Sequence, residues 1–312
     1  MEDELLMVRI AELYYDEDKT QDEIGALLKV SRWKVGRLLT QARERGIVRI
    51  EIVHPRARRL GLERLLVDRH PGLAEAVVVP APEGDEATLE RVAQAAADYL
   101  TALRPVPRTL GVSWGRTLRA VAEALPHGWA SGVTVVQLNG GVSLNRRSGG
   151  AAGLAVTIAQ RASGHVSLLP SPAILERVET KQAIEADRTV AGILEEAAQA
   201  QAFLFTAGPS DASSAHVENG YLSVEDVEEL ARRGAVGDVL GRYVDAEGNI
   251  VDSQLDARTV GVSLDRLRGA ARAIFVTAGR AKHDIARTVV ASGLCSVLVT
   301  DETTARALLE EQ

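Results

Sequence analysis

The chain has 312 residues, 46% of them apolar and 25% charged, with a formal net charge of −7, the balance of a soluble protein with room for one sizeable α/β domain and a small one. Its longest apolar runs, such as AEAVVVPAP, are far too short to span a bilayer, and the acidic start MEDE has neither the basic segment nor the apolar run of an export signal. The acidic average weighs against indiscriminate nucleic-acid binding, and the one cysteine, Cys295 in LCSVLV, reads as a buried small hydrophobe in a reducing, cytoplasmic setting.

Residues 5–15, LLMVRIAELYY, have the spacing of a helix that buries Leu6, Ile10 and Leu13, with Val8 and Tyr14 beside them. Thr20 then caps a second helix, QDEIGALL, in which Glu23 completes a capping box and Ile24, Leu27 and Leu28 turn inward. Lys29 to Ser31 separate it from RWKVGRLLTQARER, which Ser31 caps and Gly46 ends. IVRIEIV alternates as a short strand, the simplest source of a β-wing bearing Arg49. The helix lengths and the tight turn are those of a helix-turn-helix.

Charge concentrates on this module. Lys29 to Arg59 holds ten Lys or Arg against Glu44 and Glu51, a local charge of +8, whereas residues 1–28 sum to −7 and residues 60–312 to −8. At about 100° per residue Val35, Leu38, Leu39 and Ala42 cluster on one side of the third helix and face a small core. The opposite face carries Trp33, Arg37, Thr40 and Glu44, flanked by Arg32 and Lys34. A helix in a major groove meets base edges with its N-terminal residues and phosphates with others, which makes Ser31, Arg32, Trp33, Lys34, Arg37, Thr40 and Arg49 the candidate DNA contacts. The rival readings are that Trp33 packs over the edge of the module's core, and that the basic helix serves a protein partner. Gly36 costs about 0.5–1 kcal/mol relative to Ala inside a helix, and its missing Cβ leaves room for a backbone to approach. Arg56, Arg58 and Arg59 add a salt-sensitive attraction for phosphates. One such module reads only a few base pairs, so useful specificity implies at least a dimer on a two-fold operator.

HPRARRLGLERLL is a charged linker running into a helix, and the pattern then changes. AEAVVVP is a strand and DEATLERVAQAAADYLTAL a long helix. RTLGVS, VTVVQLNG, HVSLLP, AFLFTAG, TVGVS, ARAIFVTAG and CSVLVT read as further strands, with helical stretches between them, one from about 187 to 199. Short Val-rich strands, each followed by an amphipathic helix, predict a mostly parallel sheet covered on both faces. The division read here is residues 1–55 and 56–312. Strand order is not legible.

Four motifs fall just beyond strand ends. GVSWGRTL combines Gly111 and Gly115 for a tight turn, the hydroxyls of Ser113 and Thr117, the Arg116 fork and a helix N-terminus, a set suited to a phosphate or sugar acid. It lacks both the Lys-Ser/Thr ending of a P-loop and the GxGxxG of a dinucleotide site. QLNGG places Asn139 beside Gly140 and Gly141, able to meet a polyol. GAVGDVLGRYVDAEG supplies Asp238 as an acceptor for sugar hydroxyls, and TAGRAKHDIARTV places Lys282 early in a helix as an oxyanion partner. The six histidines, at 54, 70, 127, 165, 216 and 283, show no metal-site spacing, and only His283 neighbours a pocket motif. Nothing calls for a metal or cofactor. Asp238 could act as a base, leaving a sugar-phosphate isomerase or deaminase as the alternative, but the residues support a binding pocket more strongly than a reaction.

Taken together, DEIGALLKVSR, ARERGIVRI, GVSWGRTL, VVQLNGG, LLPSPAI, GAVGDVLGRYVDAEG, VGVSLDRL, AGRAKHDIARTVV and VLVTDETTARALLE cover nearly the whole chain. In this order they resemble the SorC family of sugar-responsive bacterial transcription regulators. The resemblance implies an N-terminal winged helix-turn-helix and a C-terminal effector domain resembling sugar-phosphate isomerase/deaminase and CoA-transferase folds. It implies operator DNA and a small phosphorylated sugar as partners, a homodimer or homotetramer, and repression of a carbohydrate-catabolic operon. Gly111, Ser113, Gly115, Arg116 and Thr117 would line the phosphate side, with Lys282 helping to hold the phosphate and Asn139, Gly140 and Asp238 near the sugar. Three departures stand out: Gly36 where the family usually has Ser, Ala278 where it has the first of two glycines, and the small, glycine-rich RRSGGAAG after QLNGG.

Overall fold

The computed structural model describes residues 2–48, 57–141 and 150–310. The chain divides into two compact units, Met1–His54 and Pro55–Gln312.

The first unit holds α1 (Glu2–Tyr15), α2 (Gln21–Leu28) and α3 (Arg32–Glu44). Its core is Met7, Ile10, Ala11, Leu13, Ile24, Val35, Leu38, Leu39 and Ala42, so the apolar stripe predicted for α3 is the buried one. Both predicted caps form. The Glu23 N–H donates to Thr20 Oγ1 (3.3 Å) while the Thr20 N–H donates to Glu23 Oε2 (2.8 Å), and the Lys34 N–H donates to Ser31 Oγ (3.2 Å). Leu27 corrects the predicted core, being 57% exposed. The buried side of α2 is centred between Ile24 and Gly25, and at about 100° per residue Leu27 points roughly 110° away from it. Of the predicted wing strand IVRIEIV, all but Ile47 and Val48 lies outside the described residues, Arg49 included.

Gly25 has a role that periodicity does not reveal. A Cβ there would stand 2.8 Å from the Val30 carbonyl oxygen, in the turn between α2 and α3. Gly25→Ala is therefore expected to destabilise this unit by about 1–2 kcal/mol, overpacking outweighing the gain in helix propensity. Gly36→Ala meets only the flexible end of Gln21, at 3.3 Å, and should be close to neutral. Chemical denaturation of the two variants checks the contrast. Within this unit the neighbour over Gly36 is the Gln21 side chain.

The second unit runs α4 (Leu60–Arg69), β1 (Glu75–Val79), α5 (Asp85–Ala102), β2 (Thr109–Val112), α6 (Arg116–Ala124), β3 (Thr134–Gln137), α7 (Gly150–Arg161) and β4 (His165–Ser167). It continues with α8 (Val178–Glu185), α9 (Arg188–Ala198), β5 (Ala202–Phe205), β6 (Ala207–Pro209), α10 (Ala215–Glu218), α11 (Val224–Arg232), β7 (Gly237–Val239) and β8 (Arg242–Val244). Last come α12 (Ser253–Asp256), β9 (Ala273–Val276), α13 (His283–Ala291), β10 (Val297–Asp301) and α14 (Glu302–Leu309).

Seven strands form one sheet in the order β1-β10-β9-β5-β2-β3-β4, with every pairing parallel. Side-chain alternation splits the interior into two layers. Phe205, Phe275 and Leu298 pack toward α4, α9, α13 and α14. Leu204, Ile274 and Val299 pack toward α5, α6 and α7. Strands buried on both faces explain why they read as continuous apolar runs. Cys295 is buried in the first layer, and burial pushes its thiol up to about 12.

Two details differ from the predicted parallel layout. The segment 234–248 folds into the antiparallel pair β7–β8, which with β6 makes a separate three-stranded sheet. TVGVS, predicted as a strand, makes only isolated bridges from Thr259 to Ile174 and from Gly261 to Asn139. Neither stretch is followed by a helix long enough to cover a new sheet strand, so each lies across the ends of the main sheet. Among the described residues no helix is long and apolar enough to cross a membrane, and no cluster of His, Cys, Asp or Glu could hold a metal ion.

Candidate functional site

On the first unit, Ser31, Arg32, Trp33, Arg37 and Thr40 are exposed and Lys34 is half-buried. Trp33 is 88% exposed, so it does not cover the module's core. With Gln21, Gly36 and Arg37 it lines a shallow groove also bounded by Arg32 and Thr40. Arg32 makes an exposed ion pair with Asp22 at 3.5 Å, and the Thr40 hydroxyl donates back to the Gly36 carbonyl at 3.2 Å.

The expectation for Arg58 and Arg59 is corrected. Arg58 forks onto Glu63, with both hydrogen bonds at 2.8 Å, and also donates to the Ala76 carbonyl. Glu63 is buried and accepts the Val78 N–H at 2.9 Å. Arg59 Nε pairs with Glu302 at 2.7 Å. A buried carboxylate requires such partners, so these arginines fasten the start of the second unit along the edge strand β1. Arg56 lies outside the described residues.

In the larger unit β2 lies between β5 and β3. The chain leaves β2 toward β3 and β4 and later returns on its other side at β5, a switch point where a crevice opens beyond the strand ends. Four of these ends supply side chains to one cleft: Ser113 after β2, Asn139 after β3, Thr206 after β5 and Lys282 after β9.

Gly115 turns the corner into α6 with φ +144°, and a Cβ there would stand 3.2 Å from the Thr206 methyl. No side chain caps α6, so the partial positive charge of its first N–H groups is directed toward the cleft beside Arg116. Lys282 Nζ donates to Thr117 Oγ1 at 3.0 Å and to Thr206 Oγ1 at 3.3 Å. Burial, opposed by the Asp238 charge and aided by that of Arg116, brings the Lys282 ammonium down to about 8. The turn ahead of Lys282 is secured by Asp301, whose Oδ2 accepts the Gly279 N–H at 3.1 Å while Oδ1 accepts the Thr304 N–H at 2.9 Å. Gly279 takes φ +89°, a region that favours glycine.

Across the cleft stands a buried pair. Asp238 Oδ2 lies 3.1 Å from His216 Nε2 and accepts the Gly241 N–H at 2.9 Å. Burial alone would raise the Asp238 pKa; the His216 ring, the Gly241 N–H and the Lys282 charge outweigh it and hold the carboxylate below its ordinary value. Gly208 makes room for the carboxylate, since a Cβ would come within 2.3 Å of Asp238 Oδ1. The Trp114 indole meets the His216 ring edge-on at 5.4 Å and donates to the Gly140 carbonyl at 2.8 Å. Asn139 Oδ1 and His216 Nδ1 are buried without a hydrogen-bond partner in the protein, leaving two polar atoms for a bound molecule to satisfy.

Of the residues singled out from sequence, Ser113, Gly115, Arg116, Asn139, Asp238 and Lys282 line the cleft, and Thr117 reaches it through Lys282. Gly111 and Gly140 stand behind it. A Cβ at Gly111 would meet Leu138 Cδ2 at 2.5 Å, and one at Gly140 the Pro172 carbonyl oxygen at 2.2 Å, so both glycines serve close packing. The cleft histidine is His216 and not His283, which opens α13 outside the cleft lining. His216, Trp114, Thr206 and Gly208 escaped the sequence reading. For Thr206 a signal existed, because AFLFTAG and AIFVTAG end alike. For His216, 22 residues from Asp238, there was none.

Residues 56–310 match the profile of the Sugar-bind family, described as "Putative sugar-binding domain". The chain is similar to the deoxyribonucleoside regulator of Bacillus subtilis (strain 168), 33% identical over 99% of both chains. It is similar also to the sorbitol operon regulator of Klebsiella pneumoniae, 29% identical over 98% of both. The crystal structure of full-length sorbitol operon regulator SorC from that species superposes with a TM-score of 0.73, at 30% identity over 98% of each chain. An α/β unit with its cleft at a switch point, a helical unit with an exposed basic helix, and similarity along the whole length lead to one assignment: the chain belongs to the SorC family of sugar-binding transcriptional regulators.

Proposed function

We propose that this chain is a DNA-binding regulator of carbohydrate-metabolism genes that represses a catabolic operon, and that a small phosphorylated sugar controls its hold on operator DNA. The observation that carries the effector reading is the polarity of one cleft. Lys282, Arg116 and the uncapped α6 suit an anionic group, while Asp238 and the unpartnered Asn139 oxygen suit hydroxyls. The names of two relatives, a deoxyribonucleoside regulator and a sorbitol operon regulator, point toward sugar chemistry as well.

In this reading Ser113, Gly115, Arg116, Thr117 and Lys282 form the phosphate side, and Asn139 and Asp238 meet the sugar, with Gly111 and Gly140 shaping the walls. Ser31, Arg32, Trp33, Lys34, Arg37, Thr40 and Arg49 form the DNA side, in a homodimer or homotetramer on a two-fold operator. The effector acts by linkage: it shifts operator affinity by as much as its own affinity differs between the two arrangements. A thermal-shift screen of sugar phosphates against the matching free polyols tests the proposal. A phosphorylated hit that changes operator binding supports it; polyols binding as well as their phosphates would remove the phosphate.

Gly208→Ala carries a prediction of its own. The new methyl displaces the Asp238 carboxylate from His216 and Gly241, and the loss of charge-assisted hydrogen bonds should weaken effector binding about 10-fold or more. Calorimetric titration of a folded variant is the measurement. The buried His216–Asp238 pair opposite Lys282 favours one second reading, an acid–base enzyme of the sugar-phosphate isomerase or deaminase kind. Turnover of the same phosphate panel by the full chain would establish it in place of a purely regulatory role.

A further inference from the structure

Trp33 is the second residue of α3 and stands 88% exposed among polar neighbours. An indole carries a large apolar surface and normally finds something to cover it. Trp33, Gly36, Arg37 and Thr40 follow one another at helical spacing on one face. Because Gly36 has no Cβ, the floor beside the indole is bare, and the atom bounding it is Gln21 Oε1, 3.3 Å from where a Cβ would stand. Arg32 and Arg37 rim this notch, and the stretch from Lys29 to Val48 holds six Lys or Arg against Glu44, a local charge of +5.

The charge selects a polyanion and the bare aromatic face selects something apolar within it. On the base edges of a major groove, the apolar group on offer is the C5-methyl of thymine. We propose that Trp33, with the notch at Gly36, determines operator specificity by covering a thymine C5-methyl in each half-site, the rim arginines holding the helix against the surrounding anionic surface. This inference rests on the reading of α3 as the groove-entering helix. It explains two features together: a Trp that stands 88% exposed, and a glycine at a mid-helix position where helix propensity alone favours Ala by about 0.5–1 kcal/mol.

The test uses the full-length chain and a pool of random duplexes. Duplexes enriched by repeated binding are resynthesised with each thymine pair of the half-sites replaced in turn by deoxyuridine, which removes the methyl and leaves base pairing intact. Burial of one such group corresponds to about a 4-fold change in affinity, so a symmetric pair should weaken wild-type binding about 15-fold at one position. Trp33→Ala should bind the thymine and deoxyuridine duplexes equally, with an unchanged melting temperature because the side chain is exposed, and Trp33→Phe should keep part of the discrimination. Three results overturn the inference: half-sites without a fixed thymine, equal wild-type binding to every deoxyuridine duplex, or full discrimination retained by Trp33→Ala. A Trp33→Ala variant that changes oligomeric state and leaves discrimination intact would assign the indole to a second copy of the chain instead. If the wild-type chain enriches no duplex at all, the DNA-binding reading itself fails, and this inference with it.

Discussion

Lys282→Met is expected to weaken binding of a phosphorylated effector by about 30-fold or more while basal operator binding persists. The ammonium group sits between Thr117 and Thr206 with Arg116 and Asp238 in range, and removing one partner of a buried charge pair costs about 2–5 kcal/mol. Equal effector affinity in the variant, by calorimetric titration, would remove Lys282 from the site. The same lysine predicts a pH dependence with a definite sign. In the unliganded protein it titrates near 8, and an anion bound beside it raises that value, so binding takes up a proton above pH 8. Affinity should be highest near pH 7, where the phosphate is largely dianionic, and fall as pH rises through 8 to 9, approaching 10-fold per pH unit. A phosphorylated effector whose affinity is flat from pH 7 to 9 would contradict this.

Arg37→Ala is expected to weaken operator binding by about 1–3 kcal/mol, roughly 5- to 150-fold, if the guanidinium meets a base edge. The side chain is exposed on α3, so the fold should not respond, and circular dichroism provides that control. A phosphate contact instead gives a loss shared by all duplex sequences and a slope of log affinity against log salt shallower by about 1. Measuring the variant on selected and random duplexes over a salt series separates the two. Unchanged affinity at matched salt would mean that this face of α3 is not in the groove.

The two arginines of the linker show why charge counting has a limit. Arg58 and Arg59 contribute to the same +8 segment as Arg37, yet they are committed to Glu63 and Glu302. A sum of charges cannot distinguish a cation facing solvent from one already neutralised by a residue 243 positions away. Gly111 and Gly140 teach a similar lesson. Their motifs were legible, but a glycine that lines a ligand and one that lets two segments touch look alike in sequence, and only the space a Cβ would occupy tells them apart.

What the sequence determined by itself is what depends on residues a few positions apart. The Thr20 and Ser31 caps, the buried stripe of Val35, Leu38, Leu39 and Ala42, and the short apolar strand runs follow from local hydrogen bonding, the helical period of 3.6 and burial on both strand faces. The order of the seven strands was decided by tertiary structure, because each apolar strand presents nearly the same surface to any neighbour and the choice rests on how all the helices pack at once. That order brings Ser113, Asn139, Thr206 and Lys282 to a single cleft. The antiparallel β6–β7–β8 sheet then sets Asp238 opposite Lys282, with His216 against it. The parts of the site were legible one by one; their convergence came from long-range contacts that no local pattern encodes.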